Sequence, residues 1–399
     1  MTLAELDTDP HPALARMRPV SWVPELGAWL VTGYDLAIAV LRDPVTFTVD
    51  DPRFATARVV GPSMLSLDGE PHARHRAAFT GGFRAAPVRD RLAGFVQAQA
   101  GRLTAGIAGA GTADLRLAVA APLAVIVMAH ALDLDSDPRD EQGTRLILDW
   151  YAAIVAATAA YASGEPDPGL LAAGAAAFAG LSARLRAAAR PGSLLAEATT
   201  AGTGPDGGPD GGLIRGLTQD EAVSNAAVLM FGGIETTEAM ITNLMLHLLT
   251  CPGQLALVRA DPALVPAAVE ESLRLEPAAA VVDRYATADA DLAGAPVKAG
   301  DQVTVSIAGA NRDPVVFPGP DRFDVRRPNA ARHLAFAHGP HFCLGVHLAR
   351  LEARIAAQTM LAGLPGLRLD GVPHVRGLVF RKPAALGVRW DPPGGSVSP

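Results

Sequence analysis

A cysteine, a pair of glycines inside an apolar helix and several acid–base pairs mark where this chain can do chemistry. The stretch Phe336-Ala337-His338-Gly339-Pro340-His341-Phe342-Cys343-Leu344-Gly345 sets a cysteine at the start of an expected helix, after a loop containing Gly339 and Pro340. Free N–H groups and the positive dipole end of a helix N-terminus favour a thiolate over a thiol. A thiolate in an apolar pocket is a soft ligand suited to iron. Gly345 leaves room for a flat macrocycle beside the backbone. Taken alone, the cysteine also fits a buried structural role.

Three further motifs carry charge or strain. Glu271-Ser272-Leu273-Arg274 places an acid and a base three apart on one helical face, where they can pair. Phe231-Gly232-Gly233-Ile234-Glu235-Thr236-Thr237 puts two glycines mid-helix, each about 1 kcal/mol worse than alanine there. Such a pair is explained by close approach of another group or by a local opening. His72-Ala73-Arg74-His75-Arg76 places His72 and Arg76 four apart, able to grip one anion. Arg74 and His75 read as surface residues.

The pattern Phe-x-x-Gly-x-His-x-Cys-x-Gly resembles the haem-binding loop of the cytochrome P450 family, with Ala337 where Gly or Ser is usual. Family motifs in the expected order extend the resemblance from about residue 68 to the end. It implies a mainly α cytochrome P450 fold, a helical bundle with a small β-rich region, as one domain over 1–399. Within it, a β-rich N-terminal part covers about 1–60 and a helical haem core about 68–275. Short strands and a meander cover 281–335, and the haem loop with the cysteine helix 336–360. It further implies haem b with Cys343 as the axial thiolate and metal ligand, Phe336 packed beside the sulfur, and His341, His72, Arg76 and Arg284 on the propionates. Gly232 and Gly345 complete the cofactor contacts. Glu235 and Thr236 correspond to the acid–alcohol pair that supplies protons for oxygen activation, with Glu where many relatives have Asp. Glu271, Arg274 and Arg322 correspond to a buried network.

The elements that must position these residues are legible from periodicity. From Pro71 to Thr200 apolar residues recur at three- and four-residue spacing, which predicts helices. Thr218-x-x-Glu221 is a capping box, and the helix it opens runs to about Thr250, where Cys251-Pro252-Gly253 stops it. Another helix is expected from about Pro262 to Leu275. Val303, Val305 and Ile307 alternate with polar residues as in a strand. Leu344, Leu348, Leu351 and Ile355 share one face of the helix after the cysteine. Gly202-Thr203-Gly204-Pro205-Asp206-Gly207 matches a dinucleotide fingerprint only in letters, because a proline sits inside it and more loop follows.

Composition narrows the rest. The chain has 399 residues, 49% of them hydrophobic, which can bury a large core and excludes a mostly disordered protein. A net charge of −7 argues against nucleic-acid binding. The longest mostly apolar run, Leu117–Ala129, is short of the ~20 residues of a membrane span. The first 20 residues lack a signal-peptide pattern, so a cytoplasmic protein off the membrane is expected. Two cysteines make no disulfide framework. About 50 residues follow Cys343, too few for a fused electron-transfer domain. The resemblance therefore implies a separate ferredoxin and ferredoxin reductase. Arg74, Arg76, Arg84, Arg89, Arg91, Arg350 and Arg354 are candidates for docking an acidic ferredoxin. The expected activity is insertion of oxygen from O2 into a hydrophobic small-molecule or peptide natural product. The alternatives are oxidative C–C or C–O coupling, peroxide use, or a non-catalytic ligand sensor.

Overall fold

A computed structural model describes residues 2–134, 140–162, 167–200, 202–203, 213–214 and 216–391. Most of the Gly202–Gly207 stretch lies outside them. Two compact units emerge: Met1–Phe47, Ala93–Ala124 and Glu235–Pro399 form the first, and Thr48–Leu92 with Val125–Ile234 the second.

In the first unit, a five-stranded sheet runs in the order Val20–Val23, Ala28–Val31, Gln302–Ser306, Val281–Ala286, Phe47–Thr48. Val303 pairs in parallel with Trp29 and antiparallel with Arg284. Val303 and Val305 are buried together with Val31, Leu41, Phe317 and Leu334. The alternation is incomplete because Thr304 is buried too. Its hydroxyl donates to Asp283 Oδ1 at 2.7 Å, which satisfies the polar group. Ile307 has already left the strand and opens the short helix Ile307–Ala310. The β-rich reading of residues 1–60 needs correction, since helices Leu3–Thr8, His11–Leu14, Tyr34–Arg42 and Ala55–Val60 alternate with the strands there. In the third of these, Tyr34, Ala37, Val40 and Leu41 are buried at helical spacing.

The helix Gln219–Thr250 has 32 residues and the expected capping box. Thr218 N donates to Glu221 Oε2 at 2.8 Å, and Glu221 N to Thr218 Oγ1 at 3.2 Å. Cys251 ends it, but no loop follows. Pro252 at the first helical position starts Pro252–Ala260, turned by 105°. The helix Val265–Leu275 buries Glu271 and Arg274 among its apolar residues. The cysteine helix is Val346–Gly363, with Leu348, Ile355 and Ala356 buried.

In the second unit the helices Glu141–Ala162 and Pro168–Ala188 pack closely. A Cβ on Gly174 would sit 2.3 Å from that of Ala157, and one on Gly180 2.8 Å from the Trp150 ring. Among the described residues, Pro168–Ala188 is the single helix long and apolar enough to cross a membrane, and its alanines carry that length. Ala177, Leu181, Leu185 and Ala188 of this helix are buried.

Candidate functional site

The cysteine loop is closed by backbone bonds. Cys343 N donates to Phe336 O at 2.9 Å and Ala337 N to Leu334 O at 2.8 Å. Gly339 has φ +72°, and a Cβ there would lie 2.3 Å from the Leu41 carbonyl, so no other residue fits. Ala337 also takes a left-handed φ of +57°. Phe336 is buried, while His341, Cys343 and Gly345 are half-buried. Cys343 precedes the first helical residue, Val346, by three positions, so it sits at the helix N-terminus as expected. A Cβ on Gly345 would meet only Cys343 Sγ, at 4.0 Å, and the space beside the sulfur is open on that side. In the same unit Arg284 is buried on its strand, with Nη1 donating to the Asp283 carbonyl at 2.7 Å.

Behind the loop stands a buried charge network. Glu271 accepts two bonds from Arg274, at 2.8 and 2.9 Å. The third member of the network is Arg327, whose Nε lies 2.9 Å from Glu271 Oε1. The sequence expectation named Arg322, and this is a correction. Arg322 is exposed and supplies only its carbonyl, to Arg274 and Arg327 at 3.1 Å each. The turn at 319–327 carries Arg327 back to the carboxylate while Arg322 sits on its outer side. Charge pattern alone does not separate two arginines five apart in an irregular segment.

On the long helix the two glycines differ in purpose. A Cβ on Gly233 would lie 2.5 Å from Met128 Sδ, so this glycine permits close packing within the second unit. Gly232 faces open space, with nothing within 4 Å of an added Cβ. The helix is unbroken through both.

Glu235 and Thr236, on the part of the helix in the first unit, are half-buried. Glu235 is ion-paired: Lys382 Nζ lies 2.7 Å from its Oε1 and 3.0 Å from Glu238 Oε1. Arg116 Nε donates to the same Glu238 oxygen at 2.5 Å, and its Nη1 to the Ala384 carbonyl at 2.8 Å. Lys382 escaped the motif reading, being 147 residues away. One signal was available, since the chain holds only two lysines, Lys298 and Lys382, and is otherwise cationic through arginine. A lysine can pass on a proton where an arginine cannot.

His72 and Arg76 lie in the second unit on the helix Gly69–Thr80. Asp68 precedes it and accepts bonds from Thr48 Oγ1 and Val49 N. Arg74 and His75 are not the surface residues expected. Arg74 forks onto Glu221 and holds that carboxyl down at about 2, while His75 is buried, with Nδ1 2.9 Å from Asn225 Nδ2. Burial lowers the His75 pKa. These bonds tie the helix to Gln219–Thr250 and set the face bearing His72, itself buried, and Arg76. The candidate docking arginines are less free than their number implied. Arg74, Arg89, Arg91 and Arg350 pair with Glu221, Asp90, Asp133 and Glu270. Also in this unit, an apolar cavity is lined by Ile147, Tyr151, Leu181, Met230 and Phe231 among others.

Comparison with known proteins follows the same lines. Residues 259–363 match the family model described as cytochrome P450. The chain is 36% identical to cytochrome P450 monooxygenase PikC of Streptomyces venezuelae, over 96% of this chain and 91% of that protein. It is 33% identical to nocardicin C N-oxygenase of Nocardia uniformis subsp. tsuyamanensis, over 96% of each. The crystal structure of HmtN, a post-tailoring hydroxylase of himastatin biosynthesis, aligns with a TM-score of 0.78 at 31% identity, covering 98% of this chain and 100% of that one.

Proposed function

The chain belongs to the cytochrome P450 family and is an oxidoreductase of its monooxygenase class, and from that premise we propose that it oxidises a hydrophobic natural product with O2, using haem held by Cys343 and protons delivered through Glu235 and Thr236. The residues present fit the cofactor. A cysteine just ahead of a helix N-terminus, with open space at Gly345 beside it, suits a flat, iron-bearing ring. By resemblance to the family, Arg284, His341, His72 and Arg76 are the donors for the carboxylate side arms of that ring. When bound, the haem supplies the oxygen chemistry.

The chain's own part is proton management and substrate orientation. The Lys382 ammonium anchors the Glu235 carboxylate and supplies it with a proton, regained from solvent; Glu235 hands that proton to the Thr236 hydroxyl oxygen as the hydroxyl gives its own to the site. The observation that carries this reading is the Glu235–Lys382 pair at 2.7 Å, joined to a half-buried Thr236 on the same helix. A binding-only sensor has no use for it. Bacterial relatives of this kind use separate redox partners, and a ferredoxin with its reductase fills that role here. The nocardicin and himastatin relatives, an N-oxygenase and a post-tailoring hydroxylase, support a product of secondary metabolism as the substrate. A cytoplasmic location accords with such partners.

Two measurements test the proposal. The reduced, carbon-monoxide-bound protein should give a thiolate-type spectrum, and its absence would defeat the cofactor assignment. With a surrogate redox pair and labelled O2, product should carry one labelled oxygen. Thr236→Ala should keep haem content and the substrate-induced shift while diverting roughly 10²-fold of coupled turnover to peroxide. Native coupling in that variant would put the proton path elsewhere.

A further inference from the structure

Phe336, seven residues before the cysteine, lies between two groups governed by one carboxylate. The Arg350 guanidinium carbon stands 4.8 Å from the Phe336 ring centroid. The His333 ring is 5.7 Å away at 49°. Glu270 takes Arg350 in a fork, from Nε at 2.7 Å and Nη2 at 2.6 Å. His333 Nε2 faces Glu270 Oε2 at 3.3 Å. Ala335 N donates to His333 Nδ1 at 3.1 Å, so a neutral imidazole carries its proton on Nε2, toward the carboxylate. All of these groups lie in the first unit, on the helix Val265–Leu275, the turn after Ala330–Arg332 and the cysteine helix.

The arrangement bears on Cys343 in two ways. The Phe336 carbonyl accepts the Cys343 amide bond, so the ring's seat also fixes the backbone that holds the cysteine. In addition, Arg350 and Glu270 set opposite charges beside the loop. Metal potentials respond to charge, hydrogen bonding and packing around the sulfur.

We propose that Glu270 is a positioning residue for the thiolate: it clamps Arg350 and His333 around Phe336, and the clamp sets the reduction potential of iron held by Cys343. This rests on the haem-thiolate reading above. Burial works against the Glu270 carboxylate, but His333 beside it and the two bonds from Arg350 outweigh that and hold the group at about 2, so its charge persists across the neutral range.

The experiment is a spectroelectrochemical titration of the haem-loaded protein and two charge-removing variants. Glu270→Gln leaves the Arg350 cation unbalanced and favours the reduced, more negative centre, so the potential rises. Arg350→Gln leaves the Glu270 anion unbalanced, and the potential falls. Each shift should be roughly tenfold in the ferric–ferrous equilibrium, about 59 mV for one electron. Shifts of the same sign, or none, would overturn the clamp. Where Glu270→Gln fails to load haem, Arg350→Gln against Arg350→Lys decides. The glutamine variant should fall well below the lysine variant, which keeps the charge; equal potentials sink the idea. Failure of the parent reading is told apart by the carbon-monoxide spectrum. A parent without a thiolate spectrum defeats the haem assignment, whereas a thiolate parent with unresponsive potentials defeats the clamp alone.

Discussion

In the unit that holds Cys343, charged groups do the fastening. Glu271 holds Arg274 and Arg327 with almost no exposure, Glu270 holds Arg350, and Glu276 holds Arg381 and His11. In the helices Glu141–Ala162 and Pro168–Ala188, small residues do it: Gly174 against Ala157 and Gly180 against Trp150, with Leu181 and Leu185 buried alongside. Buried ion pairs are directional and fail badly when one member goes. Apolar packing tolerates changes that conserve volume. The contrast is between directional fastening by buried charges in the one region and volume-filling packing of small residues in the other.

The largest test of that contrast is Cys343→Ser, which should abolish the thiolate-type carbonyl spectrum entirely, because oxygen lacks sulfur's electron donation. Cys251→Ala, next to the helix stop, should leave the spectrum as it is. A retained thiolate spectrum in the serine variant would end the assignment.

Next in size is Glu271→Gln, which strands Arg274 and Arg327 and should lower stability by about 3–5 kcal/mol, with loss of haem at moderate urea. Urea unfolding followed by haem absorbance measures it, and a loss below about 1 kcal/mol would show that the network is not the fastening. On the other side, Gly174→Ala forces a methyl into contact with Ala157 and should take about 1–3 kcal/mol. Its carbonyl spectrum and potential should be unchanged; a shifted potential would erase the contrast between the regions.

Smaller effects sharpen it further. Lys382→Met should slow coupled turnover roughly tenfold, since Glu235 remains but loses its anchor. Lys382→Arg should restore the anchor without the transferable proton, so recovery by arginine would assign Lys382 to positioning alone. Smallest is Ala337→Gly. A left-handed alanine is strained by ~1–2 kcal/mol, partly offset by glycine's ~0.5–1 kcal/mol of extra chain freedom. A gain of up to about 1 kcal/mol in denaturant unfolding is expected.

Local patterns were legible wherever one stretch of chain holds its own information. The capping box at Thr218–Glu221, the span to Thr250 and the cysteine loop are of that kind, because backbone bonding and helical period act over a few residues. The sequence reading failed where partners come from afar. Arg327 rather than Arg322 completes the Glu271 network, since the meander's turns decide which arginine faces inward. His75 was placed at the surface on polarity, but Asn225 and Glu221, some 150 residues later, supply the partners that permit burial. The helix Pro252–Ala260 went unseen because the same proline that ends one helix can begin another.

The residue types and their spacing were enough to give the helical class and to carry the family resemblance, which in turn singled out Cys343 as the candidate ligand, because those depend on short-range periodicity and on a loop ten residues long. Which charges neutralise which was settled only by folding. Lys382 reaches Glu235, Glu270 takes Arg350 and His333, and four of the candidate docking arginines find carboxylates. Ion pairing acts over a few ångströms of space, and apart from neighbours such as Arg89 and Asp90 the chain brings those groups together only after its helices and strands have packed.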